Sequence, residues 1–182
     1  MFLNQNALKV LQYFFDNPYE EIHLRELARK TGVSIFSVKS IVDYLTSINV
    51  LVERRVGRMR YLKANLENLF FKYLKIAFTI KKILDSKLVE YLVETIPGVS
   101  SIVLFGSAAR GEDDAKSDLD LLIIGQPKPL ELSRFERELK REVKPIVFKW
   151  SQWKREAREN KPFYLEVITS GICLYGSLPV VD

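Results

Sequence analysis

The chain has 182 residues, enough for one large or two small domains, and 47% of them are hydrophobic, which excludes a disordered chain. A single cysteine, Cys173, excludes an internal disulfide and fits a reducing cytosol. The net charge of +5 is uneven: 1–64 hold ten Lys and Arg against six Asp and Glu, 65–97 five against four, and 98–182 thirteen against thirteen, so the surplus lies at the N-terminus.

The opening M-F-L-N-Q-N lacks a basic region and a long apolar run, so no secretory signal is expected. Leu3 to Phe15 carries Ala7, Leu8, Leu11, Phe14 and Phe15 at helical spacing. Asn17-Pro18 stops that helix. Ile22 to Leu24 reads as a short extended piece and Leu24 to Lys30 as a second helix, closed by Gly32. Ser34 caps a third helix running to about Ser47, with Val38, Ile41, Val42 and Leu45 as its buried stripe. Val50 to Arg55 and Met59 to Leu62, around a turn at Gly57, make a β-hairpin. His23, the only histidine, reads as structural.

Three helices and a basic hairpin, with R-E-L-A-R-K-T-G-V-S, then a helix, then L-V-E-R-R, resemble a winged helix-turn-helix domain of the MarR/ArsR type over 1–64. The resemblance implies a third helix in the major groove of double-stranded DNA and a wing on its backbone. Ser37, Lys39 and Ser40 then face phosphates or base edges, and Arg54, Arg55, Arg58 and Arg60 form the wing. Ile35 and Phe36 put apolar groups at the start of that helix, suited to thymine methyls or to another protein surface. The alternative is a module that only dimerises or docks, its arginines a solvated face.

Over 65–97 a helical connector is expected. Leu66 to Ile83 is apolar at helical spacing, Asp85-Ser86 marks a break, and a second helix, Lys87 to Thr95, ends at Pro97-Gly98. Its most apolar part, Leu69 to Leu84, is interrupted by Lys72, Lys75, Lys81 and Lys82, so no membrane span is expected and the protein is placed in the cytoplasm. A long helix after a wing forms a dimer interface in MarR-like proteins, so the resemblance implies a homodimer; packing inside its own chain is the alternative.

The region 98–182 opens on a buried strand, Ile102 to Phe105, followed by Gly106 and Ser107. A glycine directly after a strand lets backbone approach a ligand closely. Ser107 to Arg110 suits a helix start, which attracts phosphate, and Arg110 adds a forked cation. Asp118 and Asp120, two apart at the start of a strand to Ile124, point to one face. Such a pair beside a phosphate cradle suits Mg²⁺, which is commonly held by one or two carboxylates plus substrate phosphates.

Gly106-Ser107-x-Ala109-Arg110-Gly111, five residues, then Ser117-Asp118-x-Asp120-Leu121 resembles the signature of the DNA polymerase β-type nucleotidyltransferase superfamily, nearest to its small minimal members. The resemblance implies that Gly106 and Ser107, with Arg110 and Ser117 beside them, hold the phosphates of a nucleoside triphosphate. It also implies that Asp118 and Asp120 bind two Mg²⁺ ions for in-line transfer to an acceptor, a partner protein being one option.

Beyond that motif, Leu130 to Glu142 reads as a charged helix and Val143 to Trp150 as a third strand. Helices from a Ser151 cap and from Pro162, and a last strand Ile172 to Tyr175, complete the order. The closing Leu174-Tyr175-Gly176 is common in the same superfamily. Active members carry a third carboxylate on the third strand; here V-K-P-I-V-F-K-W has none, and Glu142 just before it is the nearest candidate for the catalytic set. Period-two spacing puts Glu142 on the face of Lys144, Ile146 and Phe148. Either Glu142 completes the site, or Lys144 neutralises the aspartates and the domain only binds or senses a nucleotide. The expected fold class is α+β: a winged helix-turn-helix, a helical connector, and a small nucleotidyltransferase α/β domain with a short mixed sheet.

Overall fold

A computed structural model describes residues 4–181. It has two compact units, Met1–Lys75 and Ile76–Asp182.

In the first unit, α1 (Gln5–Asp16) starts where the Asn4 side chain accepts the Ala7 N–H at 2.9 Å, and buries Ala7, Val10, Leu11, Phe14 and Phe15. Leu3, where the periodicity begins, lies outside the described residues. The strand β1 (Ile22–His23) leads directly into α2 (Leu24–Thr31), and His23 Nδ1 accepts the Arg25 N–H at 3.3 Å. The lone histidine is therefore a helix cap. Gly32, at φ +66°, ends α2 in the left-handed region, and Ser34 caps α3 (Ile35–Ser47) by accepting the Ser37 N–H at 3.2 Å. The helix α3 buries Val38, Val42 and Leu45, while Ile41 is only half-buried.

Strands β2 (Leu51–Val56) and β3 (Met59–Ala64) pair antiparallel around Gly57-Arg58, with Gly57 at φ +57°. The strand β1 adds to β3, giving the order β1-β3-β2. Helix α4 (Leu69–Asp85) begins later than Leu66 because the Asn68 side chain accepts the Phe71 N–H at 2.9 Å and sets the first turn there.

The second unit continues with α5 (Leu88–Thr95), β4 (Ser101–Phe105), α6 (Gly106–Arg110), β5 (Leu119–Ile124), α7 (Ser133–Leu139), β6 (Val143–Phe148), α8 (Trp150–Glu159), α9 (Lys161–Ser170) and β7 (Ile172–Gly176). Its sheet has the order β6-β5-β4-β7. The strand β4 runs antiparallel to β5 and β7, and β5 parallel to β6, so the sheet is mixed. Alternation divides each strand between two cores. Ile102, Leu104, Leu119, Leu121, Ile123 and Val143 pack with Leu88, Leu92, Phe135 and Leu139. Val103, Phe105, Leu122 and Ile124 pack with Trp153 and Val167 on the other face, where the Trp153 indole N–H donates to the Pro179 carbonyl at 2.7 Å.

Three expected elements are shorter or shifted. The helix expected over Leu130 to Glu142 is confined to α7, because Lys140 turns left-handed at φ +55° and the Glu142 carbonyl accepts the Leu119 N–H at 2.9 Å. The third strand stops at Phe148 rather than Trp150, which opens α8. Ser151 is not the cap of α8: Lys149 holds that position, its N–H donating to the Gln152 side chain at 2.9 Å. No helix among the described residues is long and apolar enough to cross a membrane.

Candidate active site

The site grows from the turn between β4 and α6. Gly106 sits at φ +71°, a conformation that side chains disfavour. A Cβ there would lie 2.5 Å from Asp120 Oδ2, so the bare backbone of the turn stands directly against that carboxylate. Ser107 follows, half-buried in the first turn of α6, whose Ala108 and Ala109 are buried.

Asp120 lies in β5 between Phe105 of β4 and Lys144 of β6. Its place in the alternation with Leu122 and Ile124 puts it on the Trp153 face. Burial, and then the charge of Asp118, push its carboxyl above the ordinary aspartate range. Asp118 precedes the first residue of β5, and its Oδ2 is paired with Lys144 Nζ. The Asp118 carboxylate in turn raises the Lys144 ammonium.

The other expected nucleotide ligands are already engaged. Arg110 Nε donates to Glu112 Oε2 at 2.8 Å and its Nη1 to Glu166 Oε1, from α9, at 2.5 Å. The Ser117 hydroxyl donates to Asp114 Oδ1 at 2.9 Å and accepts the Asp114 N–H at 3.0 Å. Glu142 is exposed one residue before β6 and lines a shallow cavity of about 600 Å³ with Ser133, Glu136, Arg137, Lys140 and Arg141. Among the described residues no group of three or more His, Cys, Asp or Glu side chains is gathered for a metal ion, so Glu142 does not join Asp118 and Asp120 in one cluster. Register instead sets Lys144 opposite Asp120.

Two groups in this region gave no signal in the sequence. Arg141 and Asp113 form an ion pair at 2.6 Å with side chains 11% and 3% exposed, and Arg141 also reaches the carbonyls of Ser117 and Asp118. Glu166 lay in an apolar helix with nothing to mark it; its partner, Arg110, is 56 residues away.

In the first unit, Lys39 and Ser40 are exposed on α3, while Ser37 is half-buried and bonded to Ser34 Oγ at 2.9 Å. The hairpin arginines are mostly paired. Arg54 grips Glu21 with two bonds, Arg55 meets Glu53 at 2.6 Å, and Arg60 bridges Asp43 at 2.8 Å and Glu53 at 2.5 Å. Among the described residues Arg58 is the hairpin arginine without a carboxylate partner.

A search of the curated proteins finds no match. Among solved structures, a toxin-antitoxin crystallised with AMP-PNP is similar at 21% identity, covering 51% of this chain and 73% of that one, with a TM-score of 0.39. Two mutant forms of the toxin-antitoxin MntA-HpeT are similar at 18% and 21% identity, each over 51% of this chain and 73% and 72% of theirs, with TM-scores of 0.38 and 0.36. The family model described as Polymerase beta, Nucleotidyltransferase matches residues 86–178, from before α5 to just past β7. The strand, glycine turn and aspartate pair described above all fall within that match, and the chain belongs to the polymerase beta nucleotidyltransferase family.

Proposed function

We propose that the second unit is a metal-dependent nucleotidyltransferase that takes a nucleoside triphosphate, and that the first is a winged helix-turn-helix unit that binds double-stranded DNA. The observation that carries the transferase reading is the contact of the Gly106 backbone with a half-buried Asp120 carboxylate that is destabilised by burial and by Asp118. That carboxylate and the neighbouring Asp118, two hard oxygen donors beside a turn with no side chain in the way, fit a divalent cation such as Mg²⁺ held jointly with phosphates. Bound there, the ion would offset the negative charge at the α-phosphate and on the leaving pyrophosphate.

The residues of the chain then have separate tasks. Gly106 and Ser107 bring main chain and a hydroxyl to the phosphates. Arg110, held by Glu112 and Glu166, presents its guanidinium beside them. Asp118 and Asp120 would hold the cation between them, and Lys144, now paired with Asp118, would then be free to face the phosphates. An acceptor hydroxyl displaces pyrophosphate from the α-phosphorus, a hydroxyl of a partner protein being one candidate. For the first unit, support comes from the order α1-β1-α2-α3-β2-β3, from exposed Lys39 and Ser40 on α3, and from unpaired Arg58 in the hairpin. Two copies of the chain on a two-fold DNA site belong to the same reading.

A second reading is favoured by one observation, the Lys144–Asp118 pair. In it Lys144 is a built-in counter-ion, the domain binds a nucleotide without transferring it, and the protein is a DNA-binding regulator.

Thermal-shift titrations with ATP, GTP, CTP and UTP, with and without Mg²⁺, on wild type and Asp118→Asn separate the two. A ligand of the folded state stabilises it by about 2.7 kcal/mol at a hundred times its dissociation constant. The first reading expects a Mg²⁺-dependent shift for at least one nucleotide, lost in the variant. A shift that ignores Mg²⁺ supports the counter-ion reading, and no shift with any nucleotide excludes both.

A further inference from the structure

The segment 111–118 has no helix or strand, yet it delivers Asp118 to the start of β5. Part of it is held locally, by Asp114 Oδ1, which accepts the N–H groups of Lys116 and Ser117 at 2.9 Å each. Asp118 itself is reached from further away. The Arg141 guanidinium donates from Nε to the Ser117 carbonyl at 2.6 Å, from Nη2 to the Asp118 carbonyl at 2.9 Å, and from Nη1 to Asp113 Oδ2 at 2.6 Å. Those two carbonyls belong to the peptides on either side of the Asp118 Cα. Fixing both restrains φ and ψ of Asp118, and so the direction of its Cβ.

The arginine is itself fixed. Its N–H donates to the Glu136 carbonyl at 3.2 Å, and the next carbonyl, of Glu142, accepts the Leu119 N–H at 2.9 Å. Arg141 thus joins the end of α7 to the start of β5. A buried ion pair of this kind adds little net stability, since desolvation offsets much of its attraction. What it holds explains its presence better than what it contributes to the fold.

We propose that Arg141, locked by Asp113, is the positioning residue of the candidate active site: its planar fork orients the Asp118 main chain so that the carboxylate stands beside Asp120, facing Lys144 or a divalent cation. The metal arm of this inference rests on the transferase reading above; the Lys144 arm does not.

The test uses the full chain as wild type, Asp118→Asn, Arg141→Lys and the double variant Asp113→Leu with Arg141→Met. A lysine keeps the charge but has one nitrogen, which cannot span three fixed acceptors. The double variant removes both charges, so no buried ion is left alone. Circular dichroism checks the fold. Without any ligand, acylation of each lysine by an amine-selective ester is followed by mass spectrometry. Lys144 is expected to react faster in both Arg141 variants, at the rate found in Asp118→Asn, while lysines of the first unit keep their rates. With Mn²⁺ alone as probe, read by electron paramagnetic resonance, affinity is expected to fall roughly 10–100-fold, the usual effect of losing a group that orients a metal ligand. Unchanged Lys144 acylation in both variants overturns the proposal. If the wild type binds no Mn²⁺ but Lys144 acylation still rises, Arg141 positions Asp118 and it is the metal reading that fails.

Discussion

Replacing Gly106 by alanine probes the approach of the β4–α6 turn to Asp120, and its cost has two separable parts. The first is conformational: φ is +71°, and a left-handed conformation costs an L-residue about 1–2 kcal/mol. The second is steric: the new Cβ would lie 2.5 Å from Asp120 Oδ2 and 3.3 Å from its Cγ. The carboxylate must rotate away, and an off-rotamer side chain costs about 0.5–1.5 kcal/mol. Gly98→Ala isolates the first part, because Gly98 belongs to the same unit, has φ +65°, and has nothing within 4 Å of its Cβ position. We expect Gly98→Ala to lose about 1–2 kcal/mol and Gly106→Ala about 1.5–3.5 kcal/mol in urea unfolding. At an m-value of about 1–3 kcal/mol per molar, each kcal/mol moves the midpoint by roughly 0.3–1 M, well within measurement. Mn²⁺ and nucleotide titrations then report whether Asp120 has moved: binding should be lost in Gly106→Ala and kept in Gly98→Ala. Equal destabilisation of the two, with ligand binding intact in Gly106→Ala, would refute the close approach as the basis of the site.

Other expectations follow from the same geometry. Because the Asp120 carboxyl is raised first by burial and then by Asp118, its proton is bound more tightly in the fold than in the unfolded chain. Its contribution to stability is therefore present below the ordinary aspartate pKa and is lost as the pH rises through the raised value. Metal-free Asp120→Asn should then melt above wild type at neutral pH, with the gap closing toward the ordinary aspartate value in a pH series of melting curves. Lys144→Met removes an ion pair whose side chains are 49% and 32% exposed, so folding stability should hardly change while Mn²⁺ binds more tightly, as melting curves and titration calorimetry would show. In electrophoretic DNA-binding assays across a salt series, Arg58→Ala should lower the slope of log K against log salt by about 1. Arg60→Ala, whose side chain is 15% exposed between Asp43 and Glu53, should instead lower the melting temperature, because it takes the bridging cation from Asp43 and leaves the nearly buried Glu53 with Arg55 alone.

Much of this was legible in the sequence wherever the signal is local. The periodicity of Ala7, Leu11, Phe14 and Phe15 marks α1, the capping serine Ser34 marks α3, and the apolar runs Ile102 to Phe105 and Leu121 to Ile124 mark β4 and β5 as strands buried on both faces. Gly106 and the aspartates were readable because a strand, a glycine turn and a two-residue spacing are all near neighbours. What was not legible depends on partners far along the chain. The hairpin arginines look like free positive charge until Glu21 meets Arg54 across 33 residues and Asp43 meets Arg60. Arg141 looks like one more charge on a solvated helix until Lys140 turns left-handed, ends α7 and sends it toward Asp113 and Asp118. Glu142 shares a face with Lys144 by alternation and its charge acts on that lysine, yet it does not gather with Asp118 and Asp120 into one group among the described residues, because alternation gives a face and not a reach.

The central claim is that Asp118 and Asp120 share a divalent cation with a nucleotide seated on Gly106 and Ser107. The most direct measurement is a crystal structure grown with Mn²⁺ and a non-hydrolysable triphosphate of whichever nucleoside gives the thermal shift, with anomalous data collected to find the metal. The account predicts an anomalous peak between the two aspartate carboxylates, phosphate oxygens against the Gly106–Ser107 turn, and Lys144 Nζ displaced from Asp118. A bound nucleotide with Lys144 still on Asp118 and no anomalous peak between the aspartates would contradict it.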